Sequence, residues 1–297
     1  MKPAPFIYHD PSDLESAMRL LAELDGDVEL TAGGQSLMPM LSLRVSRPDH
    51  LVDLRRIEGL TGVDVSESHL AVGPMTTHRT IETSPVVRRV MPLLSEAAAH
   101  IGHIPIRERG TIGGSLSLAD PTAELPLASV VLDAEMTTQS LRGQRSVPAA
   151  EFFHSALQTE LDEDEILTRI TFPLLSAGTG TAFAEFSRRN GDFCIVGVAA
   201  VVGIKDGRYE SARIGLCGVS DRPFRSTEAE KLVGEPVGER TTNWIAEAVA
   251  AEFDPMDDGR AGVDDRRDIA RALIRRTLTL AGQRAAAAAP TEQGETQ

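Results

Sequence analysis

Cysteine is nearly absent from this 297-residue chain: Cys194 and Cys217 are the only two. That is too few for a disulfide framework, and neither lies in the C-x-x-C or Cys/His spacing of a zinc or iron–sulfur site. The expectation is a chain that carries no metal of its own. No segment approaches the ~18 consecutive apolar residues of a membrane helix. Met1 to Asp10 has neither the basic start nor the apolar run of a secretory signal, so the expectation is a cytoplasmic protein without membrane insertion. Positive charge is in deficit, with 30 Lys and Arg against 44 Asp and Glu for a net charge of −14. A surface this acidic repels nucleic acid and anionic membranes, which argues against nucleic-acid partners. Any phosphate must then be held by backbone dipoles rather than by a lysine field, and the expected ligand is small and buried.

What is present is a length about twice that of an ordinary domain, favouring two domains. Strand candidates at Phe6–Tyr8, Val28–Thr31, His50–Asp53 and His69–Gly73 alternate with helical patterns. The first helix carries Leu14, Ala17, Met18 and Leu21 at helical spacing, and Ser12 with Glu15 reads as its capping box. Leu37–Leu43 reads as a short helix, Ser84–Ala99 as a helix broken or bent at Pro92, and Pro121–Leu132 as another helix. Met136–Ser140 and Ile166–Phe172 read as strands. Pro173 and the segment Ser176–Thr181 read as a connection between domains. Beyond it, Ala182–Ser187, Ile195–Ile204 and Ala212–Val219 suit a three-stranded antiparallel meander, with a turn at Lys205-Asp206-Gly207. Helical patterns follow at Thr227–Val233, Asn243–Phe253 and Asp265–Leu280. The expected division is 1–176, 177–285 and a disordered tail over 286–297.

Two segments carry most of the chemical information: Ala32-Gly33-Gly34-Gln35-Ser36, followed by Leu37, and Gly110-Thr111-Ile112-Gly113-Gly114-Ser115. Paired glycines let a pyrophosphate approach successive backbone N–H groups, and a helix start after them adds a favourable dipole of roughly 0.3–1 kcal/mol. Taken singly, each pair reads more readily as an ordinary tight turn. Neither matches G-x-G-x-x-G or G-x-x-x-x-G-K-[ST], which disfavours a Rossmann site and a nucleotide-hydrolase loop. Together, with strands leading into both, they suggest one cofactor pyrophosphate pinched between two loops.

At this point the chain resembles the flavin-binding medium subunit of the molybdenum hydroxylase family, which includes xanthine dehydrogenase and aerobic carbon monoxide dehydrogenase. The resemblance rests on the Met1-Lys2-Pro3 opening, Ala32–Leu43 with Arg44, Arg109–Ser115, Ala119-Asp120-Pro121, Glu165-Ile166-Leu167 and Gly191-Asp192-Phe193, and it spans nearly the whole chain. It implies an α+β fold: a two-part FAD-binding domain of the vanillyl-alcohol-oxidase (PCMH) type, then a small C-terminal domain. In the family both glycine loops hold the FAD pyrophosphate. Ile101 falls where the family has a side chain near the flavin, and Leu167 where it has an apolar residue beside the cofactor. Glu124 stands where an aspartate often contacts FAD, and Asp120 lies four residues before it. Ala184 replaces a lysine of some members, and Phe193 matches an aromatic, often tyrosine, that covers the isoalloxazine.

The resemblance further implies a non-covalent FAD and partners that carry the remaining centres. These are a large subunit with molybdopterin and a small subunit with two [2Fe-2S] clusters, joined in a dimer of heterotrimers. The chain itself would relay electrons to NAD+, a quinone or another acceptor, and no residue reads as a catalytic acid or base. An alternative is a stand-alone flavin oxidase with its own substrate pocket. Such enzymes often attach FAD through a histidine near the first loop, where this chain has Gln35. A nucleotide-binding scaffold without activity is a further alternative.

Other residues read more simply. His100 and His103 could share a helix face, yet no third ligand is evident, and hydrogen-bonded histidines are the plainer reading. The Ser36, Thr111 and Ser115 hydroxyls lack a G-x-S-x-G elbow and read as phosphate contacts or caps. Arg107 and Arg109 read as salt-bridge or subunit contacts, and Cys194 as a small core residue. Asp120 and Glu124 would align on a helix starting after Pro121, and Asp162–Glu165 reads as a solvated acidic turn.

Overall fold

The computed structural model describes residues 2–255 and 258–288. The chain opens as a parallel three-stranded sheet with Ile7–His9 on one side of His50–Asp53 and Val28–Thr31 on the other. The amphipathic helix Leu14–Glu23 makes the crossover and buries Ala17 and Met18 against Val52, Leu54 and Ile57. Its cap is Asp13, whose carboxylate accepts from Ser16 N–H at 2.8 Å. The Ser12–Glu15 box is thereby corrected: the aspartate one residue later bonds the orphan amide, and Glu15 pairs with Arg19 instead.

A five-stranded antiparallel sheet follows, ordered Val63–Val65, His69–Val72, Ile166–Pro173, Glu135–Ser140 and Gly143–Pro148. Helices Pro92–His100 and Glu124–Val131 cover it, and Leu94, Ala98, Leu125, Leu127 and Val131 share its core with Met136, Ile170 and Phe172. Pro92 ends one helix at Val90 and begins the next, as a residue without an N–H must.

The C-terminal sheet has four antiparallel strands where three were expected: Thr179–Phe186, Val196–Lys205, Arg208–Cys217 and the short Phe224–Arg225. Helices Glu239–Glu252 and Val263–Ala288 close it through Ile245, Val249, Ile274 and Leu278. Arg266, 1% exposed, donates to the carbonyls of Ile195 and Gly218 and pairs with Asp258, binding the long helix to the sheet. The tail expected from 286 is corrected in its first part, because 286–288 complete the last helix. Residues 289–297 lie outside the described residues.

The middle sheet lies between the other two in the sequence, and three contacts from the helix Pro92–His100 tie its layer to the C-terminal part. Glu96 accepts from Phe183 N–H at 3.2 Å and pairs with Arg284 at 2.6 Å. His100, at the end of the same helix, stacks on Phe183 with ring centroids 5.0 Å apart.

Candidate functional site

The strand Val28–Thr31 delivers the first glycine loop, and the helix Leu37–Leu43 leaves it. Gly34 has φ +70°, a left-handed conformation that glycine adopts without cost. A Cβ on Gly33 would stand 2.2 Å from the Arg109 carbonyl oxygen and 2.8 Å from Gly110 Cα. Only a residue without a side chain permits that contact. The two glycine motifs, far apart in sequence, therefore meet backbone to backbone.

Their amides are used differently. In the second loop, Ile112 N–H donates to Thr76 O, Gly113 N–H to Pro74 O and Ser115 N–H to Thr111 O. Gly114 N–H takes the Thr111 hydroxyl as its cap at 3.2 Å. The second loop is thus internally satisfied, which corrects the expectation that both loops offer free amides. In the first loop, by contrast, the N–H groups of Gly33, Gly34, Gln35, Ser36 and Leu37 meet no acceptor among the described residues. Backbone amides demand partners, and this row, half-buried except at Ser36, offers donors that the oxygens of an anion can satisfy. The second loop supplies the wall: Gly113 packs so tightly on Pro74 that a Cβ would lie 2.4 Å from that ring. A diphosphate fits this cradle, because its oxygens only accept hydrogen bonds and the loop only donates them.

His78 was not singled out by the sequence, though it supports the second loop. Its ring lies where a Cβ on Gly110 would come within 2.9 Å of Nδ1, and both ring nitrogens are buried without a hydrogen-bond partner among the described residues. Burial pulls its pKa down to about 4, so the imidazole is neutral at pH 7. Nothing local in the sequence signals this, since Gly110 lies 32 positions further along the chain.

Glu124 is the first residue of its helix and is buried. Burial, then the nearby Glu185 and Asp120 charges, push its pKa up to about 8, so the carboxyl keeps its proton at neutral pH. The Glu185 side chain is also buried, with one oxygen 3.5 Å from His100 Nδ1 and the other without a partner among the described residues. Asp120 does not share the helix with Glu124. It accepts from Thr122 N–H and Oγ1 at 2.8 and 2.7 Å and shapes the turn before it. Ile101 ends the helix Pro92–His100 half-buried, and its carbonyl and that of Gly102 each accept from Arg107 at 3.0 Å. Leu167 is in the middle sheet's core, away from the surface. Phe193 is 69% exposed on the loop after Phe186. That loop rests on His103 through Gly191, beside a cleft of about 410 Å³ lined by Gly102, His103, Ile104, Arg107 and Asn190.

The remaining candidates resolve structurally. His100 and His103 do not share a helix face, since a turn separates them: one meets Glu185 and the other Gly191. Among the described residues no cluster of His, Cys, Asp and Glu could hold a metal. Arg107 pairs with Glu82 at 2.8 Å, whereas Arg109 contributes its carbonyl to the loop contact. Ala184 is buried, so no cation stands there. Cys194 and Cys217 have sulfurs 3.5 Å apart and are fully buried. Their mutual hydrogen bond and burial hold the Cys194 thiol well above its ordinary value, so it stays protonated. The acidic turn is solvated at Asp162 and Glu163, with Arg142 pairing Asp162 and Asp164 at the surface; the reading is corrected only at Glu165, which is buried on Arg145 at 2.7 Å.

Comparison with known proteins bears on this geometry. Residues 4–175 match the family model described as the FAD binding domain in molybdopterin dehydrogenase, and residues 181–281 match the CO dehydrogenase flavoprotein C-terminal domain. The chain is 40% identical to the 6-hydroxypseudooxynicotine dehydrogenase complex subunit alpha of Paenarthrobacter nicotinovorans, covering 96% of this chain and 97% of that one. It is 38% identical to caffeine dehydrogenase subunit beta of Pseudomonas sp. strain CBB1, with the same coverage. Among solved structures, carbon monoxide dehydrogenase from Hydrogenophaga pseudoflava superposes with a TM-score of 0.93 at 35% identity, covering 96% of this chain and 99% of that chain. Quinoline 2-oxidoreductase from Pseudomonas putida 86 gives a TM-score of 0.92 at 37% identity, again over 96% and 99%.

Proposed function

The chain belongs to the family of FAD-binding subunits of molybdopterin dehydrogenases, and from that membership we propose that it is the electron-transfer medium subunit of a heterotrimeric molybdenum hydroxylase. It carries an FAD-binding domain and is an oxidoreductase subunit. In this reading a large subunit holds molybdopterin, a small subunit holds two [2Fe-2S] clusters, and two heterotrimers pair. The chain accepts electrons from the small subunit and passes them to an external acceptor. FAD, when bound, supplies a centre able to exchange electrons singly or in pairs.

The observation that carries the proposal is the row of unsatisfied N–H groups from Gly33 to Leu37, held in place because Gly33 lies on Arg109 and Gly110. These amides, with Ala32 beside them, would hold the FAD diphosphate. Gly110 to Ser115 would form the opposing wall, with the Ser115 hydroxyl as its remaining polar contact. The protonated Glu124 would donate where a carboxylate would repel, and Asp120 would fix the turn that carries it. Ile101 and Leu167 would supply apolar contacts, and Phe193 would cover the exposed face of the ring system. Gln35 donates its side-chain amide to Gly33 O and offers no point of covalent attachment.

The same reading assigns 1–176 to a PCMH-type domain and 177–285 to the C-terminal domain, with the change falling between the strands that end at Pro173 and begin at Thr179. It places the protein in the cytoplasm, and among the described residues no helix is long and apolar enough to cross a membrane. Purification of the chain alone tests the proposal. A yellow protein whose flavin is released by acid, with no turnover of organic substrates, is the expected result. Turnover without partner subunits would replace it with a stand-alone oxidase.

A further inference from the structure

The helix Leu37–Leu43 ends in a way that stability alone does not explain. Arg44 caps it at φ +60°, a left-handed conformation that glycine holds without penalty and arginine does not. Arg44 N–H bonds Leu41 O, and Val45 N–H reaches back to Met40 O, so the cap is fully formed. In such caps the residue after the left-handed position commonly packs its apolar side chain onto the last turn. Here Val45 is 72% exposed instead, and Leu43 is 64% exposed. The cap therefore holds two apolar side chains and a cation outward.

The surroundings extend this face. The N-terminal strand runs beside residues 44–50, with Arg44 Nε donating to Lys2 O and Ile7 N–H to Asp49 O, which adds Ile7 at 59% exposure. Arg47 donates to Arg44 O, and neither arginine pairs with a carboxylate among the described residues, on a chain whose net charge is −14. The nearby acids are already engaged: Asp10 with Arg56, Asp53 with Arg55, and Asp49 with the Asp27 amide. At its other end the face joins the cofactor cradle, because Met38 lies where a Cβ on Gly34 would be 3.2 Å from its Cγ.

We propose that this face, centred on Leu43 and Val45 and rimmed by Arg44, Arg47 and Lys2, docks the iron–sulfur subunit. The inference rests on the electron-relay reading above. An exposed apolar centre with a charged rim is the ordinary build of a protein interface. Its charge selects the partner: a cluster held by cysteine thiolates is net anionic, and unpaired arginines beside the cradle suit an acidic surface carrying one. Continuity with the first glycine loop brings that partner to the flavin.

The test uses the FAD-loaded full chain and the iron–sulfur subunit of its complex, with affinity measured by calorimetry at low and high salt. Arg44→Gly is the informative variant, because glycine suits the cap better while removing the cation. Combined with Arg47→Ala it should leave flavin content and thermal stability intact, weaken binding by at least ~10-fold and flatten its salt dependence. Val45→Asp should weaken binding by at least ~10-fold, as removal of a central contact does. In the wild-type complex, amides 43–47 should gain protection from hydrogen exchange. Wild-type affinity in both variants, or a loss confined to the molybdopterin subunit or to self-association, would overturn the assignment. Failure of the wild-type chain to bind any iron–sulfur subunit would instead overturn the relay reading, and this surface with it.

Discussion

Gly33 rests directly on the Arg109 carbonyl, and this one contact turns two separate glycine turns into a single cradle. Because the contact is backbone to backbone, neither side can move aside as a flexible side chain would.

Gly33→Ala should therefore part the loops and strip the chain of flavin. Gly34→Val should do the same through its left-handed backbone, which costs a β-branched residue at least ~1–2 kcal/mol. Gly114→Val would press on Thr111 Oγ1, already 3.0 Å from an ideal Cβ, and on Ala32 beyond it. Visible absorbance per chain checks all three. Full flavin occupancy in any of them would remove that residue from the site.

Glu124 links stability to pH. Its folded pKa of about 8 exceeds the ordinary 4.5, so the unfolded chain ionises first as pH rises. The flavin-free protein should lose stability between about 4.5 and 8 and no further above that window. Glu124→Gln should abolish that loss and exceed wild type by ~1–3 kcal/mol at pH 8.5, with equality near pH 4.5. Urea unfolding across this range decides it, and parallel curves would show that Glu124 is ionised.

His78 acts in the opposite direction. Its pKa is lowered from 6.5 to about 4, so the unfolded chain takes up the proton as pH falls through this interval, and the contribution present above 6.5 is lost. His78→Leu replaces a buried, neutral imidazole by an apolar side chain and should fold within ~1 kcal/mol of wild type at pH 7. It should also lose less stability than wild type between pH 6.5 and 4. A large loss at pH 7 would mean that the ring has a polar partner when the protein is loaded.

Phe193 tests the cover assigned to it. Phe193→Ala should retain flavin, since the residue is exposed and distant in sequence from both loops, while changing the rate at which reduced flavin is reoxidised. Stopped-flow absorbance measures this, and identical rates would deny it the role.

Much of the architecture was legible because its causes are local. Val28–Thr31, Leu37–Leu43 and His50–Asp53 were read with the bounds they have, from alternation and helical spacing. Misreadings arose where several residues could do one job or where the partner was remote. Asp13 caps the first helix in place of Ser12, one residue away and equally suited by type. Phe224–Arg225 is too short for any periodicity, and only the edge of Arg208–Cys217 makes it a strand. Glu165 reads as one acid in a run until Arg145, from the edge strand Gly143–Pro148, pairs with it.

The amino-acid sequence by itself determined that the chain is short of cations and that its glycines come in pairs beside hydroxyl residues, so that backbone amides are the donors it offers a phosphate. Only the tertiary structure decided which amides remain to do it. An N–H is satisfied by whichever carbonyl folds against it in line, and the Pro74 and Thr76 carbonyls accept from the second loop while none accepts from the first among the described residues. That choice depends on long-range packing, which no spacing of residues along the chain encodes.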